Sequence, residues 1–526
     1  MKNNFRIIWK NIVKEINEHK IVYLILAIVL IGALFIRTYR TDQILGFYFD
    51  QGRDALKIWD FWHKGDLMLI GPTTGIAGIL RGPFYFYLIA PFYLLGGGDP
   101  VIPAYMLAFV SVLAILLAYY LGYKIHSRGA GLIAALVSSF SYYMMIAGRW
   151  LSNPTPMLLL SMILVWMMWI ITKEKDKKSS KAGWGWAAIG LISGLSLWHF
   201  GSSGELFYFP ALFVFFLWQL GLFGKNRSKW RSSFPQMKYL LLGVGAFVFM
   251  LSPLILFDFM NNHLLSLNIK KFLLEDESFK VNFFSVVQER LEFFYGVYAS
   301  KIFNSIKQPE KFLLAITAIS LVGFLPRFIK NDGIKILLLM LISPIVGMLF
   351  FQGNRGNIYD YYMTGYYMIF ILLFAVVLGE IWKYKLGKLF VVIFILIFCA
   401  NHFSVVKEKI SSSVHTPTTI VFGNQVQAVE WILKDADGRD FNTDVYVPPV
   451  IPHSYDYLFT WIGSSKYDNT PIDEKIDLLY TLAEADPPHP ERLELWTVRQ
   501  MSIGSIEETQ QFGGITVTRR KRLIYE

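Results

Sequence analysis

The chain has 526 residues, 54% of them hydrophobic and only 17% charged, where a soluble protein carries roughly a quarter charged residues. That balance excludes an ordinary soluble class. The net charge of +11 does not mark a nucleic-acid binder: the basic residues fall in short connectors between apolar blocks, where cytoplasmic retention explains them. The single cysteine, Cys399, lies inside an apolar block, which leaves no intramolecular disulfide and no cysteine-rich metal site.

In chain order, apolar blocks predict spanning helices over 21–36, 101–122, 130–147, 155–172, 184–200, 206–223, 239–257, 311–329, 334–351, 364–382 and 388–403. Each approaches the length needed to cross ~30 Å of hydrocarbon. The first block follows a basic leader and reads as a retained helix rather than a cleaved signal. Basic connectors recur at alternate positions, including Lys124 with Arg128, Lys173 to Lys181, and Lys383 to Lys388. By the positive-inside rule this predicts a multi-pass plasma-membrane protein, N-terminus cytoplasmic and C-terminus outside. The stretch Pro83 to Gly97 is too short and is interrupted by Pro91. It reads as an interfacial or re-entrant helix on the outer face, giving eleven crossings; as a twelfth helix it would invert everything downstream.

Two outer loops are then long, 37–100 and 258–310, within a membrane domain spanning 1–404. Residues 405–526 have soluble composition and predict a small extracytoplasmic α/β domain. Gln425 to Leu433 has helical periodicity, while Asp444 to Val447, Leu478 to Leu482 and Ile515 to Thr518 read as strands.

The first outer loop carries the sequence Phe47-Tyr48-Phe49-Asp50-Gln51-Gly52-Arg53-Asp54. On a helix beginning at Asp50, Arg53 and Asp54 share its face. A carboxylate there can take a proton from an acceptor hydroxyl, and a guanidinium can bind a phosphate through paired hydrogen bonds. A solvated surface ion pair would show the same spacing.

Here the sequence resembles the GT-C membrane glycosyltransferases, in the branch of protein O-mannosyltransferases and lipid A aminoarabinose transferases. In that branch an acidic residue, often followed by Glu, stands early in the first outer loop, with an Arg three positions on. Asp50, Arg53 and Ala55 match; Gln51 departs from the usual Glu, which weighs against metal binding more than against base catalysis. A proline followed by aromatics about 30 residues later is matched by Gly82-Pro83-Phe84-Tyr85, with Arg81 supplying the positive charge. The resemblance covers roughly 20–400 and rests on the order of its parts.

The resemblance implies an inverting transferase that moves a monosaccharide from a polyprenyl-phosphate carrier to an extracytoplasmic acceptor hydroxyl on a glycolipid, polysaccharide or protein. Asp50 would be the base. Arg53, Arg81, Arg149, Arg355 and Tyr361 are candidates for the carrier phosphate, although Arg149 would also suit snorkelling to the interface and Tyr361 an aromatic belt. Asp54, His199, Glu205, Asp258 and His263 are candidates for the substrate. His199 and Glu205 could instead bond each other at an outer turn, and Asp258 could cap a helix. A divalent metal is compatible with the chemistry, but no ligand cluster is legible. An oligosaccharyltransferase would need a WWDYG-like signature, which Thr460-Trp461-Ile462-Gly463 does not supply. A transporter or flippase is the alternative class; it would favour two related halves, which the chain lacks.

Overall fold

A computed structural model describes residues 10–11, 13–74, 78–223, 233–274, 283–351, 356–448 and 451–523. Every apolar block is helical. The membrane half begins with α1 (Lys20–Thr38), then α2 (Phe49–Lys64) and α3 (Phe84–Leu95) in the first long loop. There follow α4 (Val101–Ile125), α5 (Arg128–Phe140), α6 (Tyr142–Arg149), α7 (Met157–Lys173), α8 (Ser180–Leu195), α9 (Tyr208–Gln219) and α10 (Met237–Met260). The second long loop holds α11 (Leu264–Leu274) and α12 (Phe283–Ile302), before α13 (Gln308–Phe328), α14 (Asp332–Met348), α15 (Thr364–Ile381) and α16 (Lys385–Ser411).

Among the described residues, six helices are long and apolar enough to cross a membrane, and the bent pair α5–α6 makes a seventh. The chain is an integral membrane protein. Helix α15 is buried along nearly its whole length and forms the axis of the bundle, whereas α10 and α13 leave most of their apolar side chains outside. That inversion is what lipid contact permits and water would not. Helix α3 has 12 residues, about 18 Å, so it falls short of the hydrocarbon thickness.

The 66° bend between α5 and α6 contains no proline. Arg37 of α1 supports it. Its guanidinium donates to the carbonyls of Ser139 (2.9 Å) and Ser138 (2.8 Å), which the end of α5 leaves without helical amide partners, and to Met144 O (3.2 Å) in α6.

The C-terminal domain has α17 (Phe422–Ala436), β1 (Asn442–Tyr446), α18 (His453–Leu458), β2 (Leu478–Glu484), α19 (Pro490–Ile503), β3 (Gly504–Phe512) and β4 (Ile515–Arg522). Its sheet has the order β1-β2-β4-β3, with β1 and β2 parallel and the other pairs antiparallel. The domain docks on the first long loop. Trp461 Nε1 donates to Gly97 O at 2.8 Å, Tyr457 Oη to Gly98 O at 2.5 Å, and Phe422 N to Leu45 O at 3.0 Å.

Candidate active site

Helix α2 starts with a capping box. Gln51 Oε1 accepts from Tyr48 N at 3.1 Å, closing the first turn. The Gln51 amide then donates to Leu151 O at 3.1 Å, tying α2 to the turn after α6. With the start of α2 set in this way, Asp50, Arg53 and Asp54 come together at the spacing read from the sequence. Arg53 Nη1 lies 2.9 Å from Asp50 Oδ1, and Nη2 lies 2.7 Å from Asp54 Oδ1.

The two carboxylates differ in setting. The Asp50 side chain is 62% exposed and that of Asp54 only 7%. Burial raises the Asp54 carboxyl to about 7, against the opposing pull of Arg53. Arg53 also donates to Thr73 Oγ1 at 3.0 Å, so most of its donors hold loop and helix together. The residues here do not fit a divalent ion, because the guanidinium already occupies the place between the two carboxylates. Among the described residues the carboxylate and histidine cluster with metal-like spacing is Glu15, Glu18 and His19. It stands beyond the opposite end of α1.

Thr73 forms a β-bridge with Leu80, which carries the chain from Arg53 to Arg81. Arg81 is buried. One bond is described, from Nη2 to Ser202 Oγ at 3.1 Å; its Nε has no partner and it forms no ion pair among the described residues. Burial lowers its pKa, while Glu205, Tyr361 and Tyr362 act in the other direction.

His199 and Glu205 serve this arginine's surroundings rather than each other. His199 is fully buried in a wide π-helical turn that extends α8. Its Nε2 donates to Met250 O at 2.7 Å, which leaves Nδ1 to accept from Phe84 N at 3.4 Å. A side chain at Gly82 would place Cβ 2.1 Å from the His199 ring, so only glycine lets the loop lie this close. Glu205 accepts from Ser202 N at 2.5 Å and from Gly365 N at 3.1 Å, joining Arg81's partner loop to the start of α15. Its burial raises the carboxyl to about 7. Tyr361 stands just before α15, stacked on Tyr359 with centroids 5.7 Å apart.

The remaining candidates lie elsewhere. Arg149 is buried with its guanidinium on the carbonyls of Ile36 (2.8 Å) and Tyr39 (3.2 Å), where it caps the end of α1. Asp258 bonds Ser266 through N (2.9 Å) and Oγ, and lies 3.5 Å from His263 Nδ1; it steadies the first turn of α11, while His263 is exposed. Helix α11 reaches the first loop through Asn268, which donates to Gly78 O at 3.2 Å. Arg355 lies outside the described residues.

Two basic residues that the sequence reading did not single out are buried near Tyr361. Arg290 of α12 donates to Gly356 O at 2.5 Å and leaves its Nε without a partner among the described residues. Lys301 pairs with Asp360 at 2.8 Å. A charged residue on an amphipathic helix reads as surface; only the packing of α12 against α15 buries these two.

No protein-family model matches the sequence, and no curated protein matches it. Solved structures do. ArnT from Cupriavidus metallidurans in the apo state aligns at a TM-score of 0.60 and 11% identity, covering 96% of this chain and 98% of that one. The same protein bound to undecaprenyl phosphate aligns at 0.58 and 11%, covering 95% and 97%. The oligosaccharyltransferase of Archaeoglobus fulgidus aligns at 0.49 and 12%, covering 92% and 71%. Over nearly its whole length, membrane bundle and C-terminal domain together, the chain shares the fold of ArnT, itself a GT-C membrane glycosyltransferase.

Proposed function

We propose that the protein is an inverting, polyprenyl-phosphate-sugar-dependent glycosyltransferase acting on an extracytoplasmic hydroxyl. The observation that carries this reading is the pairing of an open carboxylate with a buried cation on one loop. Asp50 is exposed and oriented by Arg53, and Arg81 is buried with an Nε that has no partner among the described residues. An arginine buried without a carboxylate partner is costly unless an anion completes it. The GT-C fold supplies the context, since its relative from Cupriavidus metallidurans has been crystallised with undecaprenyl phosphate.

In this mechanism the donor's phosphate meets Arg81 and the hydroxyl of Tyr361. Asp50 takes the proton of the acceptor hydroxyl. The acceptor oxygen forms its bond to the anomeric carbon as the bond to the carrier phosphate oxygen breaks from the opposite face. The electron pair leaves on the phosphate, whose added charge the arginine stabilises more in the transition state than in the ground state. Arg53 holds Asp50 in place, Glu205 and His199 hold the Arg81 loop, and Asp54 anchors Arg53.

The test is release of lipid phosphate by protein in lipid nanodiscs given a panel of undecaprenyl-phosphate-linked sugars with envelope extract as acceptor. Asp50→Asn is expected to lose about 10²- to 10⁴-fold in transfer with donor affinity retained. Arg81→Ala is expected to weaken undecaprenyl phosphate binding by at least about tenfold. Full transfer by Asp50→Asn would remove the base from this residue. Unchanged binding in Arg81→Ala would remove the phosphate site.

A further inference from the structure

Lys301 of α12 is buried, and no step of the mechanism above uses it. Its ammonium lies 2.8 Å from Asp360 Oδ2 and 3.1 Å from Oδ1, and donates to Ser300 Oγ at 3.2 Å. The rings of Tyr367 and Tyr143 wall it in, with centroids 4.3 and 5.1 Å from Nζ. The pair is lopsided: the Lys301 side chain is 1% exposed and that of Asp360 51%. The cation has lost its water while the anion keeps much of its own. Such a pair contributes little net stability, because desolvation of the buried partner offsets the attraction. What it contributes is position.

The position it fixes is that of Tyr361. Asp360 opens the short 3-10 turn Asp360–Met363, and Tyr361 is its second residue. Arg290 holds the approach to this turn by donating to Gly356 O at 2.5 Å. About three helical turns separate Arg290 from Lys301, so one face of α12 grips both ends of the segment 356–360. From α15, Tyr367 Oη donates to Asp360 O at 2.7 Å and Thr364 Oγ1 to Tyr361 O at 2.7 Å. The same turn abuts the one that holds Arg81. Tyr366 Oη donates to Gly204 O at 2.8 Å, and a Cβ on Gly204 would fall 1.9 Å from Tyr362 O. Gly204 stands two residues after Ser202, the hydrogen-bond partner of Arg81.

We propose that Lys301 is a positioning residue for Tyr361: through Asp360 it sets the turn that presents the Tyr361 hydroxyl to the phosphate of the lipid carrier. This rests on the transferase reading given above. Lys301 itself touches no substrate, since the two tyrosines and Asp360 close it off. Without its charge, the Asp360 carboxylate turns to water and the turn loses its tie to α12.

The experiment measures undecaprenyl phosphate affinity and melting temperature for the full-length protein in nanodiscs. Lys301→Met keeps the unbranched stem between the tyrosines and removes the charge. Asp360→Asn weakens the same pair from its half-exposed side, and serves in place of Lys301→Met if that variant does not fold. Tyr361→Phe reports the hydroxyl itself. Each single variant is expected to weaken binding about tenfold, and Lys301→Met to melt at or above the wild-type temperature. Added to Tyr361→Phe, neither Lys301→Met nor Asp360→Asn should cost more than about a further twofold. A residue that works through the hydroxyl has nothing to position once the hydroxyl is gone. Losses that multiply would overturn the proposal, as would wild-type affinity in both pair variants beside weakened binding in Tyr361→Phe. Wild-type affinity in Tyr361→Phe with weakened binding in Arg81→Ala would leave the phosphate site standing and end the role given to Lys301. Full affinity in both Tyr361→Phe and Arg81→Ala, or none in the wild-type protein, would end the donor reading and this proposal with it.

Discussion

Gln51 uses both ends of its amide: the oxygen caps α2 at Tyr48 N, and the nitrogen donates to Leu151 O. A carboxylate could do the first but would face a carbonyl in the second. Gln51→Glu is therefore expected to cost about 1–3 kcal/mol, read as a lowered melting temperature in detergent; an unchanged melt would show that the Leu151 bond carries no weight. Asp54 makes a pH prediction of definite sign. Its folded carboxyl titrates at about 7, and its unfolded one at the ordinary carboxylate value. Between those limits the unfolded chain has lost the proton and the folded chain retains it, so stability falls as pH rises. The slope is about 1.4 kcal/mol per pH unit from roughly pH 5 to 7, and vanishes above it. Asp54→Asn should remove this contribution from melts taken across pH 5 to 8, and an identical profile would refute it.

At the scale of elements, the bend between α5 and α6 is set by a side chain from another helix. Arg37→Met keeps the apolar stem but leaves the Ser138, Ser139 and Met144 carbonyls without their donor. The expected cost is about 3 kcal/mol, with faster hydrogen exchange confined to residues near 138–149; exchange that rises uniformly, or not at all, would refute the local role. The long loop between α1 and α4 is organised in the same way. Arg53 donates to Thr73 Oγ1 and Thr73 bridges to Leu80, the neighbour of Arg81, while His199 fixes the far end through Phe84 and Met250. The spacing of Arg53 and Arg81 thus depends on contacts between elements, since a loop alone would not hold two charged groups in register.

For the whole molecule, the C-terminal domain is held to the membrane bundle through the Gly96 to Gly98 turn, α2 and the segment before α2, where Phe422 N donates to Leu45 O and Phe422 packs on Phe47. Trp461 gives both a hydrogen bond to Gly97 O and ring contact at Gly98, where a Cβ would sit 2.3 Å from its Cδ1. Trp461→Ala should weaken docking by about 2 kcal/mol and speed limited proteolysis between α16 and α17, while the membrane helices keep their far-ultraviolet signal. Cleavage at the wild-type rate would show that docking rests on other contacts.

Membrane class and helix positions were legible from the sequence because lipid demands apolar blocks of a set length, and such blocks have few alternative structures. The Asp50–Arg53–Asp54 grouping was legible for the same kind of reason: spacing of three and four residues is local geometry once a helix forms. The strands ending in Tyr446, Glu484 and Arg522 announced themselves by apolar or β-branched runs, but β3, Gly-Ser-Ile-Glu-Glu-Thr-Gln-Gln-Phe, did not. It is a polar edge strand that exists by pairing with β4 across the Gly513-Gly514 turn. Tertiary structure alone decided the rest. It turned Arg149 onto the end of α1, buried His199 and Glu205 behind Arg81, hid Arg290 and Lys301, and brought His453 from the far end of the chain onto Phe49. These are relations between distant segments, fixed by which buried donor finds which carbonyl or ring, and one chain's residue order does not state them.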